Sequence, residues 1–407
     1  MTFHPSQDPA QYLFLLASGI KNKSITEDEA VLLEEFIKTR ERKKPQTAIK
    51  PIRQTKLSQS LISFKQFLKP QYQDSGIEDF KDAIKLLNKS KYSQNSKNDF
   101  IVIAKSFFVW LAGRENPKIT EKELSKITGP GASTPDIDER DLLTRDELYK
   151  IIKACKNMRD RAFVAMLYES AARVSELAAA RWGDLDYKDN GVAILTLIDE
   201  KMSHKGEKKK KRQVPLLMAV EFLAGWRTAY PGTPSGNNLI FIDSVSGGPM
   251  EYTAVLRQIT RASARAGIEK RVHPHLFRKS RLTEMSREHY SDAVIRSVGW
   301  NNQSTKMADI YIKIGEDAVT TEFLERQGLK KAEDKPKENL PRQCGFCFAM
   351  NSPISEYCHK CGQPLTEIGR KQIEQERGAI RAAGKEFVHA DDVQKMINDA
   401  IRKALTK

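Results

Sequence analysis

What this chain lacks narrows its reading first. No stretch approaches the ~20 consecutive apolar residues that a membrane span needs. The opening Met-Thr-Phe-His-Pro has no charged leader followed by an apolar run. The expectation is a cytoplasmic protein with no membrane partner. Cysteine is scarce, five in 407 residues. Four fall close together, at Cys344, Cys347, Cys358 and Cys361, and Cys155 stands alone on a helical stretch. That distribution excludes a disulfide framework and suits a metal site. Cys155 reads as an ordinary, partly buried residue. An acidic surplus is absent too: 68 Lys and Arg against 53 Asp and Glu leave a formal charge of +15. Such a surplus suits a polyanionic partner, nucleic acid before an acidic membrane surface, but charge alone assigns no function.

What is present is enough apolar material, 40% of the residues, to fill more than one core in a chain of two-to-four-domain length. Residues 1–50 form an N-terminal extension with one clear helix. Ser24 or Thr26 can cap it, and Glu27, Asp28 and Glu29 fill the first turn, where the helix dipole favours negative charge. Residues 51–130 carry three stripes at helical spacing: Leu57, Leu61, Phe64 and Leu68; Phe80, Ile84 and Leu87; Phe100, Ile103, Phe107, Trp110 and Leu111. They predict a small helical domain. Residues 128–135, rich in Gly and Pro, read as a linker. A further domain, 138–330, opens at Thr144-Arg-Asp-Glu147, a capping box. Helices run to about Ala180. Three β-prone runs, 192–198, 213–217 and 239–242, then predict a small sheet. Helical patterning returns from Thr253 to Gly328. A second linker bears Pro336 and Pro341. The four-cysteine unit, 342–365, follows, and then a helical tail, 366–407. That tail ends on an amphipathic helix capped by Asp391, with Val393, Ile397, Ile401 and Leu405 on its apolar face. The fold class is mainly α with a small β-sheet.

Four short stretches of the 138–330 domain carry chemistry. Ala172-Arg173-Val174-Ser175-Glu176-Leu177 places a carboxylate three residues after an arginine, where it can steady the guanidinium. A lysine-rich turn runs from Lys201 to Arg212 between two predicted strands. His273-Pro274-His275-Leu276-Phe277-Arg278 puts His275 and Arg278 on one helix face, able to address one phosphate. Val298-Gly299-Trp300 is followed by Asp309-Ile310-Tyr311. Each piece alone is unspecific: i,i+3 pairs are most often surface ion pairs, and lysine-rich turns are usually solvated loops. Together they make a phosphoryl-transfer set that needs no metal. Two arginines neutralise the non-bridging oxygens, and fixed positive charge there is commonly the largest catalytic contribution.

In their order, these stretches resemble the tyrosine recombinase/integrase superfamily. "AARVSELAAARWGDLD" is very close to that family's first arginine box, "HPHLFRKS" matches its second, and "VGWNNQSTKMADIYIKI" resembles its final box. The resemblance spans roughly residues 50–330. It implies a helical core-binding domain that clamps DNA, followed by a mixed α/β catalytic domain. It further implies that Arg173 and Arg278 clamp the scissile phosphate, that His275 takes the histidine role of the second box, and that Tyr311 is the nucleophile. Trp300 stands where the family usually has histidine; its indole N–H can donate to the phosphate but cannot shuttle a proton. Lys201 best matches the general acid at the end of the first strand, with Lys205 and Lys208 as alternatives. The partners implied are double-stranded DNA and three further copies of the chain, a tetramer on two DNA sites.

Cys344-Gly-Phe-Cys347 and Cys358-His-Lys-Cys361 are two C-x-x-C knuckles with ten residues between. Four thiolates give the closed tetrahedral arrangement of structural zinc, so one zinc per chain is expected in a zinc ribbon, with His359 outside the ligand set. The tail is similar to that of some archaeal mobile-element integrases. DNA contact and protein contact both remain open as the ribbon's role. No catalytic group is a metal ligand, so catalysis is expected to tolerate loss of the zinc. Three other readings compete: a dimer resolvase of the same family, a type IB topoisomerase, and a non-catalytic regulator built on the ribbon. The last has no need of Tyr311 with both arginines.

Overall fold

A computed structural model describes residues 8–42, 49–114, 117–129, 131, 139–188, 191–199, 210–301, 308 and 340–382. The expected nucleophile Tyr311, the lysines Lys201, Lys205 and Lys208, and the terminal helix after Asp391 lie outside them.

The first region is helical: α1 (Gln11–Lys21), α2 (Glu27–Arg42), α3 (Pro51–Lys65), α4 (Ile77–Lys89), α5 (Gln94–Ala112) and α6 (Glu121–Ser125). Thr26, not Ser24, caps α2. Its Oγ1 accepts the Glu29 N–H at 3.2 Å, and the Glu29 carboxylate accepts the Thr26 N–H at 3.0 Å. The helical stripes read from the sequence meet in one core, to which α1 and α2 also contribute Tyr12, Leu16, Leu33 and Phe36. Aromatic rings form its centre. Phe107 lies edge-on to Phe36 at 5.2 Å and to Tyr72 at 4.9 Å, and Phe80 meets Phe108 at 4.9 Å.

The second region starts with α7 (Arg145–Ala154), capped as its sequence predicts: Thr144 and Glu147 exchange hydrogen bonds of 2.9 and 3.2 Å. Next come α8 (Met158–Glu169) and the short α9 (Val174–Ala178). A three-stranded antiparallel sheet of order β1-β2-β3 follows, with β1 Leu185–Tyr187, β2 Ala193–Asp199 and β3 Lys210–Leu216. Two of the predicted strands are therefore present. The third run, 239–242, makes only isolated bridges, Arg181 with Leu239 and Ile242 with Pro249. Its Ile240 and Phe241 are buried, and the Ile240 N–H and carbonyl bond to Ala180 O and the Trp226 indole, which leaves no ladder to extend. Four helices complete the core: α10 (Ala219–Thr228), α11 (Tyr252–Arg265), α12 (Pro274–Arg287) and α13 (Asp292–Trp300). Asn301 in the left-handed region (φ 54°) ends α13, a conformation asparagine tolerates.

The cysteine unit carries a two-stranded ribbon, β4 (Arg342–Gln343) with β5 (Met350–Asn351), and leads into α14 (Glu367–Ala382). Gly369 of α14 lies so close to the ribbon that a β-carbon there would sit 2.8 Å from Glu356 O. Among the described residues, no helix is long and apolar enough to cross a membrane.

Candidate active site and metal centre

Arg278 joins the separate sequence boxes. Proline at the first helical position starts α12, and the inward face of that helix buries Arg278 to 3% exposure while His275 stays at the surface. Its Nη1 donates to Ala171 O at 2.5 Å, two residues before Arg173, and its Nη2 donates to Gly299 O at 2.6 Å, beside Trp300. The Trp300 ring lies 5.1 Å from the guanidinium carbon, within cation–π range. Ala171 holds a left-handed backbone (φ 47°), which costs an alanine energy and turns the chain sharply from α8 into α9. Arg278 is thus anchored on two neutral backbone carbonyls.

Arg173 is held differently. Glu176 accepts its backbone N–H at 2.9 Å and its Nη1 at 2.5 Å. The same carboxylate accepts Nη2 of Arg212 at 2.5 Å. Burial alone would raise the Glu176 carboxyl, but the hydrogen bond and charge of Arg212, then Arg173, hold it below the usual carboxylate range. The side chains of Glu176 and Arg212 are 4% and 1% exposed, against 24% for Arg173. So Arg173 is the member of this chain of charges that faces outward.

By its sequence Arg212 closes a lysine-rich turn of the kind that is usually a solvated loop. It is instead a buried residue on the inner face of β3, opposite Leu197 and in line with Val214 and Leu216. Its Nε and Nη1 have no partner among the described residues. The available signal was period two: a charged residue at the inward position of a strand.

His275 is pushed down to about 4, first by desolvation and then by the positive charge of Arg278, Lys279, His273 and Arg173. At neutral pH it is uncharged, able to accept a proton or donate one N–H. His273 caps α12 without a side-chain cap bond. Arg278 thus meets Trp300 and the Ala171 carbonyl near Arg173, and the charges of Arg278 and Arg173 both reach His275. Cys155 is buried, its thiol pushed up to about 12 by that burial, which leaves it unreactive.

The four tail cysteines converge. Their sulfur atoms all lie within 4.8 Å of one another, with Cys344 Sγ to Cys361 Sγ at 3.6 Å and Cys347 Sγ to Cys358 Sγ at 3.5 Å. Zn–S bonds of ~2.3 Å in a tetrahedron put sulfurs ~3.8 Å apart, so the set fits that ion. The backbone N–H groups of Cys347 and Phe346 lower the Cys344 thiol to about 6, while at Cys361 the Gln363 N–H is outweighed by burial and the neighbouring thiols, which push that thiol up to about 12. His359 points its Nδ1 at Asn351 Oδ1, 2.9 Å away, and is not in the cluster.

Comparison with known proteins adds a family match and a likeness of fold. Residues 141–316 match the model of the Phage integrase family. Tyrosine recombinase XerC of Xanthomonas campestris pv. campestris (strain B100) is 30% identical over 183 residues, 43% of this chain and 51% of that protein. The chain therefore spans about half the length of these curated relatives. A tyrosine recombinase of Pseudothermotoga lettingae is 28% identical over 239 residues, 57% of this chain and 76% of that one. Among solved structures, the lambda integrase tetramer bound to a Holliday junction superposes with a TM-score of 0.53 at 16% identity, covering 70% of this chain and 76% of that chain. XerH site-specific recombinase bound to a palindromic difH substrate gives 0.51 at 16%, covering 80% and 99%. At such identities the likeness is one of fold. The match to the Phage integrase family model covers residues 141–316, less than half of the chain.

Proposed function

We propose that the protein is a site-specific DNA recombinase that cleaves and rejoins strands through a 3′-phosphotyrosine link, and that its natural task is the integration of a mobile element. The observation that carries this reading is the double anchorage of Arg278 on Ala171 O and Gly299 O, which brings three otherwise separate sequence boxes to one point. Arg173 and Arg278 bind the non-bridging oxygens of a backbone phosphate. The Tyr311 hydroxyl attacks phosphorus and neutral His275 takes its proton. Trp300 adds an N–H donor. The bond to the 5′-oxygen breaks, and a lysine, Lys201 in this reading, protonates that oxygen as it leaves. The 5′-hydroxyl of a second strand then attacks the phosphotyrosine and releases Tyr311. One phosphodiester is exchanged for another, so no nucleotide cofactor is consumed. The named structural neighbours include a tetramer on a Holliday junction, which supports double-stranded DNA and a homotetramer as partners here. The four cysteines form the ligand set of a structural zinc.

A suicide DNA substrate tests the reading. The native protein is expected to form a covalent protein–DNA adduct. Tyr311→Phe should bind the same DNA and form none; an undiminished adduct from that variant would remove Tyr311 from its role. Lys201→Ala should slow cleavage by ~10²–10⁴, with much of the rate restored by a bridging 5′-thio leaving group that needs no proton. Rescue of Lys205→Ala or Lys208→Ala in its place would move the acid along the turn.

The XerC and XerH likenesses favour a second reading with the same chemistry, resolution of chromosome or plasmid dimers. Excision from a two-site plasmid without accessory protein supports resolution, and a requirement for two dissimilar attachment sites supports integration.

A further inference from the structure

The four-cysteine unit is bonded to the catalytic region of its own chain. Glu221, in the first turn of α10, accepts the Ser352 N–H at 2.7 Å and also the Ser355 hydroxyl. Ile354 packs against the core of the catalytic region. On the other side, Gly191 in the β1–β2 turn has φ +79°, and a β-carbon there would lie 2.7 Å from Met350 N and 3.0 Å from Ala349 Cα. Only glycine fits that approach. Asn351 and Ser352 are fully buried in the seam.

The same strand is tied to both knuckles. Cys344 N–H donates to Ala349 O at 2.9 Å, and the Asn351 amide donates to Ala349 O at 2.8 Å. Asn351 Oδ1 accepts the His359 N–H of the second knuckle at 3.0 Å. Asn351 therefore bridges the knuckles and sits next to Ser352, which grips Glu221. So short a ribbon, with two-residue strands and three buried residues in its own hydrophobic cluster, cannot hold this shape by packing alone.

We propose that the unit is a metal-dependent brace whose docking partner is the catalytic region of the same chain. Ligation closes the two knuckles, which forms the 349–355 seam, which clamps α10 and the β1–β2 turn. This rests on reading the four cysteines as a metal site. It also revises the expectation that the catalytic region is indifferent to metal. No ligand touches the phosphate, yet the clamped turn belongs to the sheet whose β2 leads towards Lys201 and whose β3 carries Arg212.

The test uses the full-length protein, prepared under reducing conditions with measured zinc content, and reads amide hydrogen exchange by mass spectrometry. Removing zinc with a chelator should speed exchange about tenfold in the β1–β2 turn and the first turn of α10, leaving α3 and α5 unchanged. Glu221→Ala and, independently, Ile354→Ser should retain zinc but show the fast exchange already, with little further effect of the chelator. The second variant leaves α10 untouched, so agreement between the two excludes a local defect in that helix. Zinc present but turn exchange identical with and without it would overturn the brace alone. A chelator effect of full size in both variants would do the same. Absence of zinc would overturn the metal reading and the brace together.

Discussion

The two large cores of this protein are built on opposite principles. The helical region centres on rings, Phe36, Tyr72, Phe80, Phe107 and Phe108. Its prominent buried carboxylate, Glu29, is consumed by structure: it caps α2, accepts the Tyr72 N–H at 3.1 Å and meets Lys65 at 3.5 Å. The sheet-containing region buries Arg159, Glu169, Glu176, Arg212 and Arg278 inside an otherwise apolar core. Burying ions is expensive, and well-packed apolar residues of the same volume are often no less stable. Glu169 and Arg159 have structural duties: Glu169 accepts three N–H groups at the start of α10, and Arg159 donates to Ile242 O at 2.9 Å. Arg278, Glu176 and Arg212 instead converge on the proposed phosphate site. The difference teaches where to look for function: at buried charges gathered in one place, beyond those spent on a single helix start or loop.

If that contrast is right, the two cores should fail in different currencies, rate in one and stability in the other. The largest loss of rate is expected from Arg278→Ala. It removes a fixed positive charge from the developing charge on phosphorus, and adduct formation with the suicide substrate should fall by ~10²–10³. A loss of less than tenfold, with folding intact by circular dichroism, would demote Arg278 to scaffolding. Next comes Arg212→Met, which keeps volume and apolar stem but leaves Glu176 paired with Arg173 alone. The carboxylate then draws more of the Arg173 charge to itself. Cleavage should fall by about tenfold with DNA affinity nearly unchanged, because Arg212 has no exposed surface with which to touch DNA. Glu176→Gln in the Arg212→Met background should recover part of the rate by removing the uncompensated charge. A drop in affinity instead of rate would return Arg212 to the basic turn that its sequence suggests.

Much of this was legible in the sequence because it is local. The capping box at Thr144 and Glu147, the apolar stripes of α3 to α5 and the two C-x-x-C knuckles depend on neighbours within a turn or two, and each is present as spaced. The pairing of Arg173 with Glu176 was legible for the same reason, as an i,i+3 pair that does form, whereas the reading of Arg173, His275 and Arg278 as one site came from the order of the boxes and the family they resemble. What escaped depends on contacts far apart in the chain. Arg212 meets Glu176 across 36 positions, and Ser352 meets Glu221 across 131. Nothing in the composition of 201–212 distinguishes its last basic residue from the others. Only the strand's alternation, once its register is known, turns Arg212 inward. Leu239–Ile242 misled for the converse reason: β-branched and aromatic residues fit any buried extended segment, whether or not a neighbour is there to form a ladder.

The helical core supplies the opposite arm of the comparison. Phe107 is fully buried, with Phe36, Tyr72 and Trp110 at ring distances of 5.2, 4.9 and 5.6 Å. Phe107→Ala should cost ~3–5 kcal/mol of stability, through lost burial and the cavity left behind. Measured well below its lowered melting temperature, the variant should cleave bound suicide substrate at the native rate. A tenfold slower cleavage step with bound DNA would show that this core also sets the geometry of the phosphate site, and the two cores would then not be separable.

The smallest effect concerns His275, and its sign follows first from desolvation and then from the cations around it. In the folded protein its imidazole is lowered to about 4, whereas in the unfolded chain it titrates near 6.5. Between those values the unfolded chain binds more protons than the folded one. Stability contributed by this group is therefore complete above pH ~6.5 and is lost as the pH falls towards 4. The imidazole edge is open to solvent, so the loss is small, and a direct readout serves better than a melting curve. An NMR titration of the free protein should place the His275 midpoint near 4, and Arg278→Ala should move it upward by removing the largest neighbouring charge. Binding of DNA should move it further, because a phosphate anion cancels the repulsion that adds to desolvation in lowering the ring. A midpoint near 6.5 that ignores both changes would mean that the ring stands clear of the arginines, and His275 would lose its place as the acceptor of the Tyr311 proton.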